Sequence, residues 1–460
     1  MTDIQLMPHQ EDGVVFLGER DVALLHWDQG TGKTYAAVRA CDRAQLLNEE
    51  EGMPPLPILV ICPAVARRNW RREFLKAQTR DRQIIVMEKG RTPIASSGVV
   101  IVSYDLAHRP EVWAELMKRD YDALILDEVQ YIKNPKALRT QAVFGRRRHY
   151  PEGLISKAYQ CWALSGTPAP NHIGELFPWL KATRPEAVPA GYNQFIRMYC
   201  RVEETPWGPK VVGNNKDQVR RLMNNIGDDV SRIHKADVLP DLPPIRFSPV
   251  EVSGDQTAAQ VRDLEDQYRA DLEQLLENIQ GRAPEPAAHL TTLRRITEMA
   301  KIGDLLSTLS AELTDHAIEK VVVFANFIDS IDAIAAGLTE YGTAVVHGAI
   351  MPKNRQLAID RFQNDPECRV FVGQTIAAGT AITLHADGAC QDVVMVSADW
   401  VPGNNAQAIA RVHRIGQPGS VTARFLHLAN SIDEVVIDTL MKKTANLCSA
   451  FQEERKHHAA

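Results

Sequence analysis

Residues 22–34 read Val22-Ala23-Leu24-Leu25-His26-Trp27-Asp28-Gln29-Gly30-Thr31-Gly32-Lys33-Thr34: an apolar run, a glycine-bearing turn, and then the start of a helical pattern. Strand, loop and helix in that order, with Gly-Lys-Thr closing the turn, predict a phosphate-binding loop. Its glycines let backbone N–H groups turn inward around phosphate oxygens, Lys33 neutralises the β and γ phosphates, and the Thr34 hydroxyl ligates magnesium. Trp27 stands where such loops usually carry their first glycine.

Outward from this loop, short apolar runs alternate with amphipathic stretches as far as Leu180. Val22–Leu25, Ile58–Cys62, Ile84–Val86, Val99–Val102, Ala123–Leu126 and Tyr159–Leu164 read as buried strands. Strands alternating with helices predict a parallel sheet covered on both faces, which collects ligands at the carboxyl ends of its strands. The loop at Gly30, the pair Asp127-Glu128 and the turn Ser165-Gly166-Thr167-Pro168 all follow such runs and converge on one edge. After a buried strand, one carboxylate of an Asp-Glu pair can anchor magnesium while its neighbour polarises an attacking water.

The alternation stops at 181–238, which reads as a helical insertion. Leu239-Pro240-Asp241-Leu242-Pro243-Pro244 is a stiff connector, because clustered prolines continue neither helix nor central strand. Arg246–Val252 is strand-like, and Gln256–Gln280 and Leu290–Leu313 are helical around a break at Gly281–Pro286. Alternation resumes at Val321–Phe324, Ala344–Val346, Val370–Val372, Val393–Val396 and Thr422–Leu426, a second parallel sheet.

At 460 residues the chain exceeds one typical core, and 45% hydrophobic with 24% charged residues is ordinary for a globular protein. Seven scattered cysteines without a C-x-x-C pair read as reduced structural thiols rather than a zinc module. A net charge of -6 excludes a general basic coat for nucleic acid, so such binding must use patches: Arg67, Arg68, Arg71 and Arg72 around Trp70, the run Arg146–Arg148, and Arg294-Arg295. The opening Met1-Thr2-Asp3 lacks a basic and apolar leader pattern, and the apolar runs are too short for a bilayer, so no membrane partner is expected.

Taken in order, the segments resemble the motifs of the Swi/Snf branch of superfamily 2 helicase-like ATPases. Leu6-x-Pro8-His9-Gln10-x-x-Gly13-Val14 resembles the adenine-reading Q motif, and the phosphate loop is motif I. Ile61-Cys62-Pro63 with Asn69-Trp70-x-x-Glu73 is similar to motif Ia, and Ser103-Tyr104 to motif Ib. Asp127-Glu128-Val129-Gln130-Tyr131-Ile132-Lys133-Asn134 is similar to motif II, with Gln130 in place of the usual histidine. Leu164-Ser165-Gly166-Thr167-Pro168-x-x-Asn171 is similar to motif III. Lys235-x-Asp237-Val238-Leu239-x-x-Leu242-Pro243 matches a signature near the lobe junction, Val321–Phe327 motif IV, and His347-Gly348 with Arg355 and Phe362 the block after it. Thr375–Leu384 matches motif V, with Ala381 for the usual glycine, and Trp400–Gln417 motif VI. The match runs nearly the whole chain. Ala377-Ala378-Gly379 and Leu293-Arg294-Arg295 leading to Ala300-Lys301 look more like the annealing-helicase relatives than the nucleosome remodellers.

The resemblance implies an α/β fold of two tandem RecA-like parallel-sheet lobes: lobe 1 over 1–180, the insertion 181–238, a connector 239–247, lobe 2 over 248–445 with a helical insertion at about 254–313, and a tail 446–460. It implies an ATP hydrolase that uses Mg2+ and moves along double-stranded DNA, with fork remodelling, annealing or strand separation as alternatives. ATP is expected in a cleft between the lobes, bound by His9, Gln10, Gly30, Thr31, Gly32, Lys33, Thr34, Arg411 and Arg414, with the metal on Thr34 and Asp127. Catalysis is assigned to Lys33, Asp127, Glu128, Gln407, Arg411 and Arg414. DNA contacts are expected at Asn69, Trp70, Arg71, Arg72, Ser103, Tyr104 and Thr383, with a core or interlobe aromatic as the alternative reading of Trp70. Forked or partly single-stranded DNA is a further partner, and a recruiting protein is left open. The chain reads as a minimal motor of a bacterial or bacterial-virus host cytoplasm, associated with the nucleoid.

Overall fold

The computed structural model describes residues 5–50, 52–88, 97–145, 150–206, 208–271, 273, 288–375 and 382–453. The run Arg146–Arg148, the break at Gly281–Pro286, and motif V from 376 to Ala381 lie outside them. The chain divides into two units, Met1–Val238 and Leu239–Ala460.

In the first unit, seven parallel strands lie in the order β3-β4-β2-β5-β6-β1-β9. They are β1 (Val22–Trp27), β2 (Ile58–Cys62), β3 (Ile84–Val86), β4 (Val99–Ser103), β5 (Tyr121–Asp127), β6 (Ala158–Leu164) and β9 (Val230–Ile233). Every residue of β2 and β4 is buried. Helices cover both faces, which is why these strands are unbroken apolar runs rather than alternating ones. The order β5-β6-β1 sets the carboxyl ends that carry Asp127, Ser165 and the phosphate loop side by side. At about 4.8 Å per strand, β1 and β5 end about 10 Å apart, room for a polyphosphate.

The segment 181–238 is not only helical. Beside the helices Phe177–Thr183, Tyr192–Tyr199 and Lys216–Asn225 it holds an antiparallel hairpin, β7 (Cys200–Thr205) with β8 (Gly208–Asn214), and it returns β9 to the main sheet beside β1. These strands are polar and half-exposed, so they lack the apolar signature of the central ones.

The second unit has six parallel strands in the order β10-β15-β14-β11-β13-β12. They are β10 (Arg246–Val252), β11 (Lys320–Ala325), β12 (Thr343–Val346), β13 (Val370–Gln374), β14 (Cys390–Met395) and β15 (Thr422–Leu428). β10 takes Arg246 and Phe247 from the expected connector by pairing with β15. The helical stretch expected from Leu290 to Leu313 is two helices, Ala288–Ala300 and Ile302–Thr314, parted at Lys301. Ile302–Thr314 is a covering layer rather than an insertion: Leu305, Leu309 and Leu313 pack with Val321 and Val323 of β11. The six described cysteines are buried and free, and among the described residues no helix is long and apolar enough to cross a membrane.

Candidate active site

The phosphate loop is held from behind by the helix Pro8–Gly18. His9 Nε2 and Gln10 Nε2 lie 2.9 and 3.2 Å from the Thr31 carbonyl oxygen, while Gln10 Oε1 accepts the Met7 N–H at 3.0 Å. Both ends of the Gln10 amide are therefore engaged, one on the cap of its own helix and one on the loop. Gly30 and Gly32 adopt φ of 80° and 86°, and a Cβ on Gly32 would sit 2.0 Å from Gln10 Nε2. Backbone conformation and close approach thus both demand glycine there. Lys33 begins the helix Lys33–Glu50, and its ammonium donates to the Trp27 and Asp28 carbonyls at 2.8 and 3.0 Å. Trp27 has a physical role in place of a glycine. It is buried against Gly13, where a Cβ would meet the indole at 2.3 Å, and it donates to Ser231 Oγ of β9 at 2.8 Å.

Asp127 ends β5, and Glu128 follows with φ 53°, ψ 60°. A non-glycine residue in that region costs about 1–3 kcal/mol and persists only where its surroundings fix it. Here they do. Gln130 Nε2 donates to Glu128 Oε2 at 2.7 Å, Ser165 Oγ donates to Gln130 Oε1 at 2.7 Å, and the Thr167 N–H donates to Ser165 Oγ at 2.9 Å. Gln130 thus spans motifs II and III through an uncharged amide. Further along, Lys133 Nζ and Asn171 Nδ2 donate to Glu175 Oε1 at 2.7 and 2.8 Å. Burial alone would raise the Glu175 carboxyl, but these donors outweigh it and hold it below the usual range.

Three of the residues expected on DNA are interior. Trp70 is 1% exposed, and its Nε1 donates to Asp127 Oδ2 at 2.8 Å, a charge-assisted bond of about 1.5–3 kcal/mol. Tyr104 is equally buried, donates its hydroxyl to the Asp127 carbonyl at 2.9 Å and stacks on Tyr131 with centroids 5.8 Å apart. Ser103 is buried beside it. None of the three reaches a nucleic acid in this arrangement; Trp70 and Tyr104 serve the acidic pair instead. Of the neighbouring arginines, Arg67 is buried and tied to the Ala64 and Met87 carbonyls. Arg68 pairs with Glu88, Arg72 reaches Asn69 at 3.4 Å, and Arg71 is exposed.

In the second unit, Arg414 Nη1 donates to Thr383 Oγ1 and toward the Ile382 carbonyl at 3.4 Å, joining motif VI to the end of motif V. The Arg411 carbonyl accepts the Leu384 N–H at 2.9 Å, and its side chain is buried. Gln407 is half-buried on the helix Pro402–Ile409. The helix Ala288–Ala300 supports this region with groups to which motif reading assigned no structural part. Arg294 lies 4.8 Å over the Trp400 ring and donates to the Ala398 carbonyl at 2.5 Å. Glu298, 0% exposed, accepts the Asn326 and Phe327 N–H groups, each at 3.1 Å through Oε1. Lys301, also 0% exposed, donates to Leu426 O at 3.1 Å and Asp433 Oδ2 at 2.9 Å.

The donors present in the first unit suit magnesium. Thr34 and Asp127 offer hard oxygens, too few to cage an ion, and among the described residues no three acidic, histidine or cysteine side chains cluster as a metal site. Magnesium characteristically takes one or two protein oxygens and completes its octahedron with phosphates and water.

Comparison with known proteins follows this geometry. A family profile described as the SNF2-related domain matches residues 9–261, and one described as the helicase conserved C-terminal domain matches residues 301–416. Over 95% of its length the chain is 28% identical to the SWI/SNF-related matrix-associated actin-dependent regulator of chromatin subfamily A-like protein 1 of Xenopus tropicalis, spanning 44% of that protein. It is 27% identical to the DNA annealing helicase and endonuclease ZRANB3 of Bos taurus, again over 95% of this chain and 40% of the relative. The Sulfolobus solfataricus SWI2/SNF2 ATPase core in complex with dsDNA matches with a TM-score of 0.45 and 22% identity, over 98% of this chain and 96% of that one. The chain therefore spans less than half of these two curated relatives. That they are animal proteins, named for chromatin and for DNA annealing, overturns the expectation of a bacterial or viral-host cytoplasm.

Proposed function

We propose, because this chain belongs to the SNF2-related family of helicase-like ATPases, that it is a DNA-dependent ATPase coupling hydrolysis to movement along double-stranded DNA. The observation that carries the reading is the convergence of the phosphate loop, Asp127-Glu128 and Ser165 on the adjacent carboxyl ends of β1, β5 and β6. His9 and Gln10 hold the loop and read the base, and the loop N–H groups with Lys33 hold the β and γ phosphates of ATP. Thr34 and Asp127 would hold Mg2+, which when bound would offset charge on the phosphates. Glu128 accepts a proton from the attacking water and is aimed by Gln130. Gln407, Arg411 and Arg414 are assigned to turnover by their place in motif VI. Asn69, Arg71, Arg72 and Thr383 remain as backbone-gripping contacts, which position without reading sequence. Fork remodelling or annealing is the second reading, favoured by the similarity to an annealing helicase.

The test is steady-state ATP hydrolysis with duplex DNA, single-stranded DNA, RNA or no polymer, with Lys33→Ala as control. Stimulation by duplex DNA is expected. Stimulation by forks or single strands alone shifts the reading to remodelling or strand separation, and none by any polymer defeats it.

A further inference from the structure

The helix Arg67–Ala77 faces two ways. Inward it buries Trp70 and Phe74, with ring centroids 5.9 Å apart, and Ala77; outward it presents Arg68, Arg71 and Arg72. Its first turn is pinned by Arg67 to the Ala64 and Met87 carbonyls. The helix is thus tied at its start to the segments that follow β2 and β3, and of its buried side chains Trp70 is the one that ends on the acidic pair, its Nε1 donating to Asp127 Oδ2 at 2.8 Å.

We propose that Trp70 is a positioning residue that couples DNA held on the outer face of this helix to the placement of the metal-bearing carboxylate of Asp127. The proposal rests on the DNA-motor reading above. Phosphates drawing on Arg71 and Arg72 bias the helix, the indole N–H moves with it, and the carboxylate shifts relative to the phosphate loop. Packed interfaces pass on small shifts of this kind because they have discrete arrangements rather than a continuous range. The coupling is reciprocal: Mg2+ with nucleotide alters DNA affinity by the factor through which DNA alters nucleotide affinity. Tyr104 bonds the same residue from a different element, through the main-chain carbonyl, and is not part of the lever.

The experiment measures the affinity of a fluorescent duplex with and without saturating Mg2+ and a slowly hydrolysed ATP analogue. In the unaltered chain the nucleotide should change duplex affinity about fivefold or more, the lower end of typical coupling. In Trp70→Phe, which keeps a ring and removes the N–H, the change should fall below about twofold while duplex affinity without nucleotide stays put. Tyr104→Phe should keep the coupling. If Trp70→Phe folds poorly, an isosteric indole analogue with sulfur in place of the ring N–H, installed at position 70, preserves packing and should likewise uncouple. Coupling undiminished in the N–H-deficient protein overturns the inference and leaves the motor reading standing. Absence of duplex binding, or of coupling, in the unaltered chain overturns both.

Discussion

Around Asp127 and Glu128 the first unit sets an indole, a phenol, an amide and a hydroxyl, none carrying charge. The second unit buries Glu298 and Lys301, each with 0% exposure, Glu298 tied to the turn after β11 and Lys301 to β15 and the first turn of the helix Ile432–Glu453. Neutral donors orient a carboxylate without cancelling the charge that a metal or a proton must meet. Buried charges do the reverse: they commit their partners, because a lone charge in the interior is far costlier than a lone amide. The contrast is between a region arranged for chemistry and a region arranged for rigidity.

The largest expected effect tests the chemical side. Glu128→Gln keeps shape and leaves an oxygen for Gln130 Nε2, yet cannot take a proton. Turnover should fall about 10²–10⁴-fold while nucleotide binding and the melting temperature hold, whereas Lys33→Ala should lose nucleotide affinity as well. Full activity in Glu128→Gln would place the base elsewhere. Next in size is a stability effect in the second unit. Lys301→Ala removes the ammonium partner of Asp433 and of the Leu426 carbonyl, at a cost of about 3–5 kcal/mol. Calorimetric unfolding should show this exceeding the loss in Trp70→Phe, where one bond goes and no charge is created, about 1–3 kcal/mol. Equal losses would erase the distinction between the two regions.

How far these regions were legible follows from the same physics. The strand β2, buried at every position, and the edge strands β3 and β10 were read to the residue, because a strand covered on both faces, or bounded by turn-forming residues, leaves a local record in composition. β9, which reads Val-Ser-Arg-Ile, and the hairpin β7–β8 left none: at half-exposed positions the polar choices look like loop. The phosphate loop and the acidic pair were legible because their chemistry is local. Trp70, Ser103 and Tyr104 were assigned to the right neighbourhood but the wrong side of the chain, since a linear motif does not say which way a residue faces. For Trp70 a signal existed. Ala66, Trp70, Phe74 and Ala77 recur at helical spacing as an apolar stripe, and that stripe is the buried face. The partners of Glu298 and Lys301 are 28 and 132 residues away, beyond any local pattern.

The third effect concerns acid and returns to the strand that leads into the phosphate loop. His26, in β1 just before the phosphate loop, is held neutral, its pKa lowered from 6.5 to about 4 first by burial and then by Arg232, Lys33 and His234. Between those values the unfolded chain binds a proton that the folded chain refuses. This contribution to stability is therefore full above about pH 6.5 and declines as pH falls toward 4, amounting to about 3 kcal/mol at most. Asp28, two residues on, works in the opposite sense: burial raises its carboxyl, so it favours the folded state as acid is added. A melting curve of the unaltered chain mixes the two, and only a difference isolates the histidine. His26→Gln cannot titrate, so its melting temperature should fall less between pH 6.5 and 4.5 than that of the unaltered chain. Parallel pH profiles for the two proteins would mean that His26 accepts its proton in the folded state, and that β1 tolerates a charge beside the loop after all.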